Sequence, residues 1–203
     1  MGLLIIGLIL FLGIHAIRIP GEGIRNQFQA RFGPLGFKLI YSVVSLLGLV
    51  AMAQGYAQAR LDPTILWVPP AGLAHAASLL TLFAFVLLVA AYVPGNIFLA
   101  KLKHPMTIAV KLWAFAHLLS NGGLHDVLLF GGLLLWAVLV FRSARRRQPI
   151  QNPSLLNGLP TLIAQKPRSM LASLITLVVG IGAWAWFAFQ GHLLLIGVAP
   201  FGG

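Results

Sequence analysis

The chain has no cysteine. That excludes disulfides, thiolate ligation of zinc or haem, iron–sulfur clusters and covalently attached c-type haem. Acid is almost missing too: Glu22, Asp62 and Asp126 are the only three carboxylates in 203 residues. All three lie near the ends of apolar runs or in loops. A carboxylate relay through the middle of a membrane is therefore unsupported, and so is a two-carboxylate hydrolase. There is no HExxH, no GxSxG and no phosphate-binding Gly-Lys motif. Charged residues make up 8%, where a soluble domain carries about 25%.

What is present is apolar. Hydrophobic residues make up 59% of the chain and the mean hydropathy is +0.94, which places the protein in a membrane. The formal net charge of +11 does not point to nucleic acid, because the basic residues sit in short loops between apolar runs. Six such runs are legible, at 2–17, 37–53, 71–93, 106–119, 124–141 and 170–189. They predict an all-α polytopic bundle of about six transmembrane helices, forming one integral membrane domain over 1–203. The first run has no basic residues before it and no small-x-small cleavage site after it, so it reads as a retained span.

Six spans put Arg18, Arg25, Arg31, Lys38, Lys101, Lys103, Arg142, Arg145, Arg146, Arg147, Lys166 and Arg168 on one side and only Arg60 on the other. Lys111 lies inside the fourth span. The positive-inside rule then places both termini on the non-cytoplasmic side. The loops hold smaller expectations. The segment 22–32 reads as a short amphipathic surface helix. Ser42, Ser45 and Gly48 offer small surfaces for helix packing. The segment 54–70 reads as a polar loop with Trp67 as an interfacial anchor, and 161–164 as a short surface helix. The fourth run is short, at about 20 Å against a ~30 Å hydrocarbon core. Either its helix starts before Pro105 or its outer end is sunk below the surface.

With the acids set aside, chemistry falls to histidine. A neutral imidazole in an apolar site is the usual axial ligand of b-type haem. His75, His125 and His192 lie toward the outer face and read as solvated interfacial residues. His15 is the better candidate, with Gly13 and Ala16 leaving room for something to approach. His117 stands between Ala114 and Ala116 on one side and a helix break at Ser120-Asn121-Gly122-Gly123 on the other, where a pocket could open. His104 precedes the same span. His104 and His117 are thirteen residues apart, ~20 Å and about 220° on one helix, so they cannot share one iron. A two-histidine site must draw on a second helix, and the first span supplies the obvious partner. On depth alone His15 pairs better with His104.

Two segments resemble the NnrU family of bacterial membrane proteins. The first is Gly36-Phe37-Lys38-Leu39-Ile40-Tyr41-Ser42-Val43-Val44-Ser45-Leu46. The second is Lys103-His104-Pro105-Met106, followed by Lys111-Leu112-Trp113-Ala114-Phe115-Ala116-His117-Leu118-Leu119-Ser120-Asn121-Gly122 and then Leu128-Leu129-Phe130-Gly131. Where the family usually has Arg, this chain has Lys103. The resemblance covers a core of 1–147, leaving a basic cytoplasmic loop over 142–169 and a last helix over 170–189.

The resemblance implies a link to denitrification, meaning nitrite and nitric oxide metabolism. It also implies similarity to 15-cis-zeta-carotene isomerase, a membrane protein that binds haem b through two histidines. By motif those ligands fall on His15 and His117, with His104 as the rival ligand. The isomerase is thought to switch one ligand with a cysteine three residues before the second histidine, and that position here is Ala114, so the cysteine-dependent switch cannot operate. The expectation is a haem-b-binding membrane protein with isomerase-like or redox chemistry on a lipophilic substrate. Two alternatives stand beside it: a non-catalytic accessory or assembly factor for nitrite or nitric oxide reductase, and a small-molecule permease.

Overall fold

In lipid every backbone polar group must be satisfied within the chain, so apolar runs of this length fold as helices. The computed structural model, which describes residues 1–20, 22–146 and 168–200, is all-helical. The elements are α1 (Gly2–His15), α2 (Glu22–Ala59), α3 (Gly72–Ala90), α4 (Ile97–Leu102), α5 (Pro105–Ser120), α6 (Leu124–Arg146) and α7 (Met170–Ile196). Short π-helical stretches interrupt α6 at Val127–Gly131 and α7 at Phe187–Gly191. Among the described residues, four helices are long and apolar enough to cross a membrane: α2, α3, α6 and α7. With 14 and 16 residues, α1 and α5 span only about 21 and 24 Å.

Several boundaries differ from the sequence reading. The segment 22–32 is helical as expected and is set off at Gly33, whose φ of 72° and ψ of 167° suit only glycine. Pro34 follows, and it could not have continued the first helix in any case. Beyond 53 the helix runs on to Ala59, because its last turns are packed rather than solvated: Gly55 lies on Leu4 and Ala59 is buried. The sixth run also continues past 189 to Ile196. Helix α4 was not foreseen; Asn96 caps it by accepting from the Leu99 N–H at 2.8 Å. The expected surface helix at 161–164 lies outside the described residues.

Helix α5 begins at Pro105, so its shortness is real. Its far end is not open to the surface but strapped by the loop after α2. The Leu66 N–H donates to the Gly122 carbonyl and the Leu124 N–H to the Thr64 carbonyl, each at 2.8 Å. Gly122 must be glycine there, since a Cβ would collide with the Trp67 carbonyl.

Two packing units meet on α6. One is the antiparallel pair α1–α2, in very close contact: Gly7 lies against the Met52 backbone, Gly55 against Leu4 and Gly48 against Phe11. The expectation of small-residue packing at Gly48 is met. The other groups α3, α5 and α7, with Ala84, Leu87 and Ala109 buried between α3 and α5 and Gly180 of α7 pressed on Val86 of α3. Helix α1 runs alongside α6 in the same direction, as Leu8 and Leu12 beside Gly132 and Ile19 bonded to Ser143 show. Helix α5 runs against α6, its start near Phe141 and its end near Phe130.

Candidate functional site

Helix α6 presents a row of large side chains at three-residue intervals, Phe130, Leu133 and Trp136. Three residues turn a helix 60° short of a full circle, so the row slants across one face. At one end His117 of α5 stacks on Phe130, with ring centroids 4.5 Å apart and planes at 29°. At the other end His15 of α1 meets Trp136 edge-on at 6.1 Å. Phe11 and Leu12 of α1, Trp113 and Ala114 of α5 and the buried Phe130 and Leu133 fill the space around the row. Phe130 and Trp136 are six residues apart, about 9 Å of rise along α6.

Both imidazoles are half-buried and oriented in the same way. Nδ1 of His15 lies 2.7 Å from the Phe11 carbonyl and Nδ1 of His117 lies 2.8 Å from the Trp113 carbonyl, each four residues back. A carbonyl oxygen only accepts, so each Nδ1 is the donor, and in the neutral ring that leaves the lone pair on Nε2. Such a bond to the backbone is what fixes tautomer and ring angle in a metal-bound histidine. Neither Nε2 makes a hydrogen bond among the described residues.

Helix α5 positions the rest of the motif. His104 is its N-cap residue, and the His104 ring packs edge-on against Phe141 at 6.1 Å. Phe141 is five residues past Trp136, about 7.5 Å. His15 therefore sits at a level between the other two histidines, and depth favours neither strongly. The open space expected beside His15 lies on the other face of α1: a Cβ on Gly13 would meet nothing within 4 Å, but Gly13 is about 200° round the helix from His15, whose ring is flanked by Phe11, Tyr41 and Trp136. Around His117 there is no more room. Ala114 and Ala116 are both fully buried, and Ala114 packs on Phe130 and Leu133, so the small side chains there admit a helix rather than a ligand.

His125 corrects the sequence reading outright. It is 5% exposed, not solvated, and its ring lies over Gly123, where a Cβ would collide with it. Beside it Asp126, also 5% exposed, accepts from the Tyr56 hydroxyl at 2.6 Å and from the Gly123 N–H at 2.9 Å. Hydropathy could not reveal this cluster, because it depends on α2 continuing to the level of Asp126. His75 is exposed as expected, and His192 bonds through Nδ1 to the Val198 carbonyl at 2.7 Å. One further residue was missed: the indole Nε1 of Trp136 is buried next to His15, with no hydrogen-bond partner among the described residues. No group of three or more metal-ligating side chains occurs among the described residues.

The family model described as NnrU protein matches residues 3–200, nearly the whole chain. The chain belongs to the NnrU family. As an NnrU protein it keeps its family match through the last helix, beyond the 1–147 core that the motifs mark. No curated protein and no solved structure matches it.

Proposed function

We propose that this NnrU protein holds haem b between α1 and α5, with His15 and His117 as axial ligands. The observation that supports this most is the paired orientation of the two imidazoles. Each donates through Nδ1 to its own helix and leaves Nε2 with a lone pair, the donor set that haem iron takes. The apolar side chains of Phe11, Trp113, Phe130 and Leu133 are surroundings that suit a porphyrin; they are packed on one another here, so a bound haem would have to part them. The Trp136 Nε1 is a donor available to a bound group. His104 remains the rival ligand.

When bound, the haem supplies a one-electron iron centre, suited to nitric oxide or to isomerising a polyene. The chain's part is to hold the iron, fix both ring tautomers and keep water out. Ala114 stands where the isomerase has its cysteine and is fully buried, so any change of ligand here does not use that position. The link to nitrite and nitric oxide metabolism rests on family membership, and the isomerase-like chemistry on the resemblance.

In this reading α1 and α5 cross the membrane with the four longer helices, and the chain is one six-span domain of a bacterial inner membrane. Both termini face away from the basic end. The alternatives, an accessory factor for nitrite or nitric oxide reductase or a permease, need no haem. Purification after expression with ample haem decides between them: the proposal expects a stoichiometric Soret band, and a colourless folded protein would remove it.

A further inference from the structure

We propose that Lys111 and Arg145, gathered on the ring of Phe141, bind the carboxylate or phosphate headgroup of a membrane-embedded amphiphile. Lys111 lies six residues into α5, about 9 Å past Pro105. Its Nζ sits 3.7 Å over the Phe141 centroid. The Arg145 guanidinium carbon is 5.7 Å from the same centroid. The His104 ring packs edge-on against it as well.

Two cations sharing one ring lie within about 10 Å of each other, where like charges repel outside bulk water. Aromatic contact offsets part of that cost, but it neutralises nothing. Among the described residues, neither cation has a carboxylate within ion-pair distance. The chain has little acid to offer. Asp126, in the first turn of α6, is fifteen residues before Phe141 and about 22 Å away, and Asp62 follows α2 at that same far end; the third acid, Glu22, starts α2 at the basic end, three residues past Ile19, whose carbonyl accepts from Ser143. The site we propose takes its anion from outside the chain.

The depth suggests what kind of anion. Lys101 and Lys103 are exposed before α5 and Arg145 is exposed near the end of α6, whereas Lys111 is half-buried and reaches the ring from within the helix. A headgroup bound there has its apolar part in the hydrocarbon. Two sources share this chemistry, an anionic phospholipid and the propionates of a haem. The propionate source rests on the haem reading above; the phospholipid source does not.

Full-length protein in nanodiscs of phosphatidylcholine with a minor fraction of phosphatidylglycerol tests the first source, with native mass spectrometry counting retained lipids. Lys111→Gln and Arg145→Gln should each lower the preference for phosphatidylglycerol about fivefold, the effect of one cation near a membrane surface. Lys101→Gln and Lys103→Gln should lower it far less. Uptake of haem against its dimethyl ester tests the second source: the wild type should favour the free acid, and Lys111→Gln should remove that preference. If all four variants lose lipid preference equally, the charge is diffuse and the site is overturned. It is also overturned if Lys111→Gln and Arg145→Gln change neither preference. If neither porphyrin binds, the haem reading fails and the lipid arm alone decides this one.

Discussion

A histidine in a bilayer has two ring nitrogens to place, and each costs free energy if left unpaired in lipid. His15 and His117 each settle one on the carbonyl a turn back and keep the other for a partner. The histidines were legible as candidates in the sequence; their tautomers were not, because a turn of helix has to exist before Nδ1 has a carbonyl to meet. His125 was misread for the same kind of reason: its burial depends on Tyr56 and Asp126, seventy residues apart in sequence. Glycine gives the sharpest residue-scale prediction. A Cβ on Gly55 would fall 2.2 Å from the Leu4 nitrogen, while one on Gly182 meets nothing within 4 Å. Gly55→Ala should cost about 1–3 kcal/mol in unfolding experiments in detergent. Gly182→Ala should be neutral or stabilising by up to ~1 kcal/mol, since alanine favours the helix. Equal losses would mean that α1 and α2 are not in that close contact.

The helices were legible as apolar runs, but their ends were not. Hydropathy marks where side chains meet lipid, whereas a helix continues wherever its next turn finds something to pack on. That is why α2 passes 53 to reach Leu4 and Asp126; α7 also passes 189, but with Leu193, Leu194 and Leu195 exposed, so packing does not account for its extension. Pro105 at the start of α5 was informative because its missing N–H fixes a first turn. Of the two readings of that short helix, an earlier start is excluded, since α5 begins at Pro105, and its far end is covered by the 64–67 strap. Helix α6 emerges as the element everything else is measured against. His117, His15 and His104 contact it in that order along its length, at Phe130, Trp136 and Phe141. The sequence placed all three histidines correctly on their own segments, but the helix that ranks them was visible only as an apolar run.

For the whole molecule, the fold class was plain from composition, because 59% hydrophobic residues and three acids leave little alternative to a helical membrane bundle. The family was legible from the motifs around Lys103-His104-Pro105 and Trp113–His117, and the match over 3–200 extends it to nearly the full chain. The proposed sidedness rests on charge, with the cationic residues around Phe141 and Arg142 at one end and Arg60 at the other. A periplasm-active reporter enzyme fused after Gly203 should be active and a cytoplasm-active one silent; the reverse result would invert the topology. The central claim concerns the iron. Absorption spectra of purified His15→Ala, His117→Ala and His104→Ala proteins test it directly. Loss of the Soret band in the first two, with the third retaining it, is the result expected of a haem held between α1 and α5. Loss in His104→Ala with retention in His117→Ala would contradict it and move the site to the basic end of the bundle.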